Sequence, residues 1–319
     1  MVTLNNIPGD RTIWARHELK YLITESQAAV ITQYIRPYMK LDRYSEFREK
    51  YAYPICSIYL DSEKLKLAKE TLNGRCNRYK LRIRGYSDDP DMPRFFEIKR
   101  RVNRTIIKSR ARVMPASVAP LIAGELPFPK GAGKENQALQ QFFLYLRLIS
   151  ARPIVLVRYL RQAYESFVDN SIRITFDREL AGKTLDTFDF SMNGTGWITP
   201  PLRQVILEIK FTGRYPVWLS GMVRDLGLQA GSYSKYCSCL LAALRRGSAG
   251  PIRLTGVSWI PSIKSGRPST PLERSSTPTI PSSASPLASS SPLSSGSSSD
   301  GYITLPTADS PTPNPSSKV

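Results

Sequence analysis

Three short stretches place a cation at every second residue: Lys80, Arg82 and Arg84; Lys99 and Arg101 after Glu97; and Lys108, Arg110 and Arg112. On an extended strand such residues share one face, while Leu81 and Ile83, or Phe96 and Ile98, take the other. Arginine can grip anionic oxygens in pairs and lysine acts as a point charge, so these rows could neutralise a polyanion. A single charged row is commonly a solvated face. Three successive rows with one carboxylate would repel one another without a counterion, and the spacing therefore implies a concave surface that holds a polyanion.

Other strands offer the same chemistry. The strand at Ile13 to Ile23 puts Arg16, Glu18 and Lys20 on one face, and the strand at Arg203 to Phe211 puts Glu208 and Lys210 opposite Leu207 and Ile209. Ser171 to Asp177 sets Arg173 against an apolar row of Ile172, Ile174 and Phe176. Along Ile154 to Ser166, Leu156, Arg158 and Leu160 share a row, so Arg158 interrupts an apolar face. Charge there is costly unless paired; a ligand phosphate or an internal carboxylate would serve. Other chemistries have little support, because His17 is the sole histidine and Cys56, Cys76, Cys237 and Cys239 form no Cys-x-x-Cys pair. Cys237 and Cys239, on an expected helix, are read as ordinary reduced thiols.

The basic rows need a sheet to carry them. Strands are expected at Arg78 to Tyr86, Arg94 to Arg101 and Thr105 to Val113, with another at Ile55 to Leu60. Thr24 opens a helix with Gln27 as capping-box partner, Ala28, Ile31, Tyr34 and Ile35 as its buried stripe, and Pro37 as its end. Ser62 to Thr71 is expected to be a short helix, residues 38 to 53 irregular, and Pro115 to Gly133 a loop. Lys134 to Ser150 is helical, with Leu139, Phe142, Phe143, Leu146 and Ile149 facing the core, and helices at Pro216 to Leu226 and Ser232 to Arg246 finish the domain. Strands dominate and do not alternate one for one with helices, which argues against a doubly wound parallel sheet.

Of the 319 residues, the first 260 hold all but one unit of the +19 net charge. Such a basic domain expects anionic partners. Nucleic acid is not expected among them, because the cations alternate with aliphatics and no aromatic-rich platform for single strands is visible. No stretch reaches the roughly 20 apolar residues of a membrane span, and Met1 to Asp10 lacks a basic start followed by an apolar core. The expectation is a cytoplasmic protein. Residues 1–257 form the domain, and 258–319, rich in Ser, Pro and Thr, are expected to be a disordered tail.

Seven motifs occur in register: Arg16-His17-Glu18-Leu19-Lys20-Tyr21, Ile58-Tyr59-Leu60-Asp61, Leu81-Arg82-Ile83-Arg84-Gly85-Tyr86, Phe96-Glu97-Ile98-Lys99-Arg100, Lys108-Ser109-Arg110, Leu207-Glu208-Ile209-Lys210 and Ser234-Lys235-Tyr236. Over residues 11 to 245 the chain resembles the vacuolar transporter chaperone (VTC) domain, one of the triphosphate tunnel metalloenzymes of the CYTH-like superfamily. The resemblance implies an α+β fold: an antiparallel β-barrel tunnel of about eight strands with flanking helices. It implies a polyphosphate polymerase that transfers the terminal phosphate of ATP to a growing chain, assisted by a divalent metal, Mn²⁺ or Mg²⁺. Lys20, Arg82, Arg84, Lys99, Lys108, Arg158, Arg173, Lys210 and Lys235 correspond to its phosphate-contacting set, with Glu208 the main metal ligand and Glu18 a second. For Lys235, on a helix, a solvated position is an equally good expectation.

Hydrolytic members of that superfamily begin with Glu-x-Glu-x-Lys, and here Arg16 stands at the first of those positions. A cation there disfavours water activation and suits an anionic acceptor. A triphosphatase and a non-catalytic polyanion-binding module remain as alternatives. The family's membrane-bound members add a regulatory domain and membrane helices, neither visible here, so synthesis in the cytosol is implied unless an unidentified partner brings the chain to a membrane.

Overall fold

The computed structural model describes residues 16–247 apart from 104, 128–130, 132, 168–170 and 203. The expected tail, the start of the first strand at residues 13–15 and the side chain of Arg16 lie outside the described residues. The chain runs β1 (Arg16–Ile23), α1 (Glu25–Ile35), β2 (Met39–Leu41), α2 (Arg43–Glu46), a 3-10 turn (Glu49–Tyr51), β3 (Tyr53–Asp61), α3 (Lys66–Leu72), β4 (Arg78–Gly85), β5 (Arg94–Val102) and β6 (Thr105–Val113). It continues with α4 (Pro115–Ala123), α5 (Lys134–Leu148), β7 (Arg152–Ser166), β8 (Ile172–Thr184), β9 (Val205–Thr212), α6 (Val217–Asp225) and α7 (Lys235–Arg245).

Every strand pairs antiparallel, in the order β1-β9-β8-β7-β3-β4-β5-β6, with β2 also on β7. The expected antiparallel barrel of about eight strands is thus present, curled with one seam. Among the described residues no backbone ladder joins β6 to β1. The free edge of β1 is instead covered by the segment before α7, where the Gly231 amide donates to the Lys20 carbonyl at 2.8 Å.

Alternation sorts the strand residues. Outward-facing Ile58, Leu81, Ile83, Phe96 and Ile98 pack under α4 and α5, with Phe142 of α5 edge-on to Phe96 at 4.9 Å. Tyr21, Ile174, Phe176, Leu207 and Ile209 pack under α1 and α6. α7 instead joins the inward-facing Tyr59, Val157, Tyr159 and Ile206. It comes this close because residue 182 is glycine: a Cβ there would lie 2.4 Å from Cys239. The core cysteines Cys56, Cys237 and Cys239 are free thiols, and Cys76 is a free thiol at the surface.

Local chemistry accounts for most boundaries. The expected capping box holds α1: the Gln27 amide donates to Thr24 Oγ1 at 3.1 Å and the Thr24 amide to Gln27 Oε1 at 2.9 Å. Tyr34 departs from the expected buried stripe, staying 36% exposed and donating to the Trp218 carbonyl. The expected loop at Pro115 to Gly133 contains α4, since Pro115 suits the first helical turn, Val118 and Leu121 bury a face, and Gly124 closes it at φ 80°. The span at 38 to 53, expected irregular, holds β2 and α2, the latter capped by Asp42 accepting from the Ser45 amide at 2.8 Å. β8 runs seven residues beyond the expected Asp177, carried past a bulge where Glu179 takes a left-handed φ of 53°.

Candidate active site

The concave face of the sheet carries the charge and encloses a cavity of about 780 Å³. Arg82 and Arg84 enter from β4, Lys99 from β5, Lys108 and Arg110 from β6, Arg161 from β7, Arg173 from β8, Lys210 from β9 and Glu18 from β1. A second cavity of about 160 Å³ adjoins it, lined by Lys20, Arg78, Lys80 and Arg101 and sharing Glu18, Lys99 and Ile106 with the first.

Glu97 anchors one cluster of cations. Its side chain is fully buried; Oε2 lies 2.6 Å from Arg82 Nη2, and Oε1 lies 2.6 Å from Lys108 Nζ and 3.4 Å from Arg110 Nε. Burial alone would raise its carboxyl, but Arg82, Arg84 and Lys108 hold it well below the usual range. Arg84 stands at 4.0 Å, its guanidinium donating instead to Ser57 Oγ at 3.2 Å and the Tyr159 hydroxyl at 3.3 Å. Burial pulls the Lys108 ammonium down to about 8, against the attraction of Glu97.

A second cluster surrounds Glu208. Lys210 lies at 2.8 Å, Lys20 at 3.4 Å, Lys235 at 3.5 Å and Arg161 at 3.6 Å. Asp177 beside it is gripped by both arms of Arg161 at 2.6 and 2.7 Å and by Lys235 at 2.6 Å. Burial would raise the Glu208 carboxyl, yet Lys210, Lys235 and Lys20 depress it strongly. Glu18, 3.2 Å from Lys20 and 2.9 Å from Lys99, is held at about 2 by these cations and Lys210, against its burial and the like charge of Glu208. Burial takes the Lys99 ammonium to about 7, outweighing the pull of Glu18. Four cations face Glu97 and five more are shared by Glu18, Asp177 and Glu208. The excess is what an incoming polyanion would neutralise.

Seven of the nine cations expected to contact phosphate therefore lie in these clusters, and an eighth, Arg173, lines the cavity 2.5 Å from Asp42. Lys235 is buried and paired, which excludes the solvated alternative. Arg158 is the exception. Tyr159 and Arg161 take the inward positions of β7, so Arg158 faces out, where it donates to the Met192 carbonyl at 2.7 Å and lies 4.1 Å over the Trp197 ring. A backbone carbonyl and an indole satisfy it, in place of the expected phosphate or carboxylate. Arg161 holds the place in the cavity expected for Arg158, a choice of face that alternation along the strand alone leaves open. Asp177 and the anchoring role of Glu97 were also missed, and Lys80, a member of the first basic row, donates to Ser234 Oγ at 3.0 Å. Arg112 leaves the cavity and meets Glu135 at the surface.

Among the described residues no group of three or more His, Cys, Asp or Glu is placed to hold a metal ion. Glu18 and Glu208 are both ionised and joined through Lys20. Two carboxylates fit a hard divalent cation that takes its remaining oxygen ligands from substrate phosphates and water, a common way of holding Mg²⁺.

The family model described as the VTC domain matches residues 15–244. The chain belongs to the VTC domain family. No curated protein matches it. Among solved structures, the PH1819 protein of Pyrococcus horikoshii is similar at 14% identity and a TM-score of 0.36, over 71% of this chain and 98% of that one. The capping enzyme triphosphatase of Mimivirus is similar at 10% identity and a TM-score of 0.27, over 66% and 88%. Membership of the VTC domain family supports an activity on polyphosphate or triphosphates. Among the described residues of this VTC domain, no helix is long and apolar enough to cross a membrane.

Proposed function

We propose that this VTC domain is a metal-dependent polyphosphate polymerase using ATP. The observation that carries the reading is the convergence of Lys20, Arg82, Arg84, Lys99, Lys108, Arg161 and Lys210 on one concave face beside the ionised Glu18 and Glu208. Phosphoryl transfer asks a protein mainly for positioning and charge neutralisation. Arg82 and Arg84, fixed on adjacent inward positions of β4, orient the transferring phosphate. Lys99 and Lys108 neutralise its oxygens. The bond from the terminal phosphorus to the bridging oxygen of ATP breaks, one to a terminal oxygen of the acceptor chain forms, and ADP leaves with the bridging oxygen. Glu18 and Glu208 would hold Mn²⁺ or Mg²⁺, which when bound offsets charge on the phosphate oxygens.

The test is incubation of the purified chain with ATP and Mn²⁺. The polymerase reading predicts ADP together with long phosphate chains; free phosphate as the only second product identifies a triphosphatase. That second reading draws on Glu18, which keeps one of the two carboxylates of the hydrolytic pattern.

A further inference from the structure

The outer surface beside α1 and α6 carries rings that the core leaves out. The Tyr38 and Trp218 rings lie face to face, 4.4 Å apart and 2° from parallel. The Tyr34 hydroxyl donates to the Trp218 carbonyl at 3.2 Å, and the Phe167 amide donates to the Tyr38 carbonyl at 3.4 Å. These contacts join α1, the residue just past β7 and the start of α6 in one patch. Val217, the first residue of α6, is 88% exposed, Phe167 54% and Tyr38 40%. Neither cavity of the concave face is lined by these five residues, and side chains this exposed project outward.

An exposed apolar patch marks a protein or membrane contact, and charge selects between them here. Arg36 and Lys40 stand on either side of Tyr38 in the chain, and Arg214 lies just before α6. All three are exposed, and among the described residues none of them forms an ion pair. The carboxylates beside them in the chain are engaged elsewhere: Asp42 is buried 2.5 Å from Arg173, Glu165 lies 3.8 Å from the same arginine, and Asp225 pairs with Arg224 at 3.0 Å. All but one unit of the +19 net charge lies in the first 260 residues, so a second copy of the domain is repelled and an anionic surface attracted. Tyr and Trp, with apolar bodies and polar tips, suit the boundary between lipid and water, and Lys and Arg are drawn to anionic headgroups.

We propose that this face docks the chain on an anionic lipid surface. Phe167, Val217 and the stacked Tyr38 and Trp218 rings enter the headgroup layer, while Arg36, Lys40 and Arg214 meet the negative headgroups. A peripheral contact of this kind needs no spanning helix. It involves none of the residues that line the large cavity and does not depend on how that cavity is read.

The test is co-sedimentation of the full chain with vesicles of phosphatidylcholine alone, and of phosphatidylcholine carrying about one-third phosphatidylserine. Binding is expected to be about tenfold tighter or more to the second, and to weaken as salt rises. Val217→Asp changes an exposed side chain at a helix start, where an acid is favourable, and Phe167→Ser removes an exposed ring. Each is expected to weaken binding to the anionic vesicles by about tenfold, within what withdrawing one apolar side chain from lipid allows, and to leave the thermal unfolding midpoint unchanged. Equal binding by the wild-type chain and both variants would place the lipid on another basic face and overturn the proposal. So would a wild-type chain that stays unbound, or one whose self-association in sedimentation velocity is lost with Val217→Asp.

Discussion

Glu97 and Arg84 show how differently two buried charges on one face behave. Glu97 is the common partner of Arg82, Lys108 and Arg110, and removing the shared partner of a buried ion cluster leaves uncompensated charge. Glu97→Gln should lower unfolding free energy by about 3–5 kcal/mol in urea titrations. Arg84 has neutral partners at hydrogen-bond distance and its carboxylate only at 4.0 Å. Arg84→Ala should therefore abolish phosphate transfer, read as loss of ADP formation, while keeping a cooperative unfolding transition. Lys99 and Lys108 make the site sensitive to pH. With their ammonium groups at about 7 and about 8 in the free protein, triphosphate affinity should fall as pH rises from about 6 to about 9, and binding near pH 8 should take up protons, measurable by calorimetry in buffers of different ionisation enthalpy. The sign for folding is opposite. Between these values and the ordinary lysine range the unfolded chain binds more protons than the folded one, so this contribution to stability rises with pH.

At the level of elements, the three basic strands were legible because period-2 alternation and burial agree along Arg78–Gly85, Arg94–Val102 and Thr105–Val113. Helix α4 was hidden by its prolines, which read as breakers although Pro115 sits where a helix tolerates one. Arg158 was misplaced for a related reason. Leu156 and Leu160 do share its row, and the row is apolar because it faces outward. Which face of a doubly buried strand points inward depends on its neighbours' register, and that is tertiary information. Helix α7 was visible, but not its place on the concave face, which needs Gly182 opposite Cys239. The Cys237 amide donates to Ser234 Oγ at 3.3 Å, and Ser234 also receives Lys80. Ser234→Ala should cost about 1 kcal/mol of stability in thermal unfolding, as expected for a lost N-cap.

Across the whole molecule, segments from residue 18 to residue 235 supply the charged clusters of one concave face. The seven motifs and their order carried the family and the barrel, whereas the pairing of each cation with Glu18, Glu97, Asp177 or Glu208 could not be read from spacing, because those contacts join parts of the chain as distant as Lys20 and Glu208 or Glu18 and Lys99. The positive excess inside a curled sheet predicts salt-sensitive binding. Raising ionic strength from about 0.05 to about 0.5 M should weaken tripolyphosphate affinity, less steeply than for surface charges, since partly buried groups are screened less. The most direct test of the central claim is a crystal structure with a non-hydrolysable ATP analogue and Mn²⁺. The account predicts the phosphates within hydrogen-bond distance of Arg82, Arg84, Lys99 and Lys108, with the metal against Glu208. Phosphates bound on the outer surface, around Arg158 or elsewhere, with the cavity empty, would contradict it.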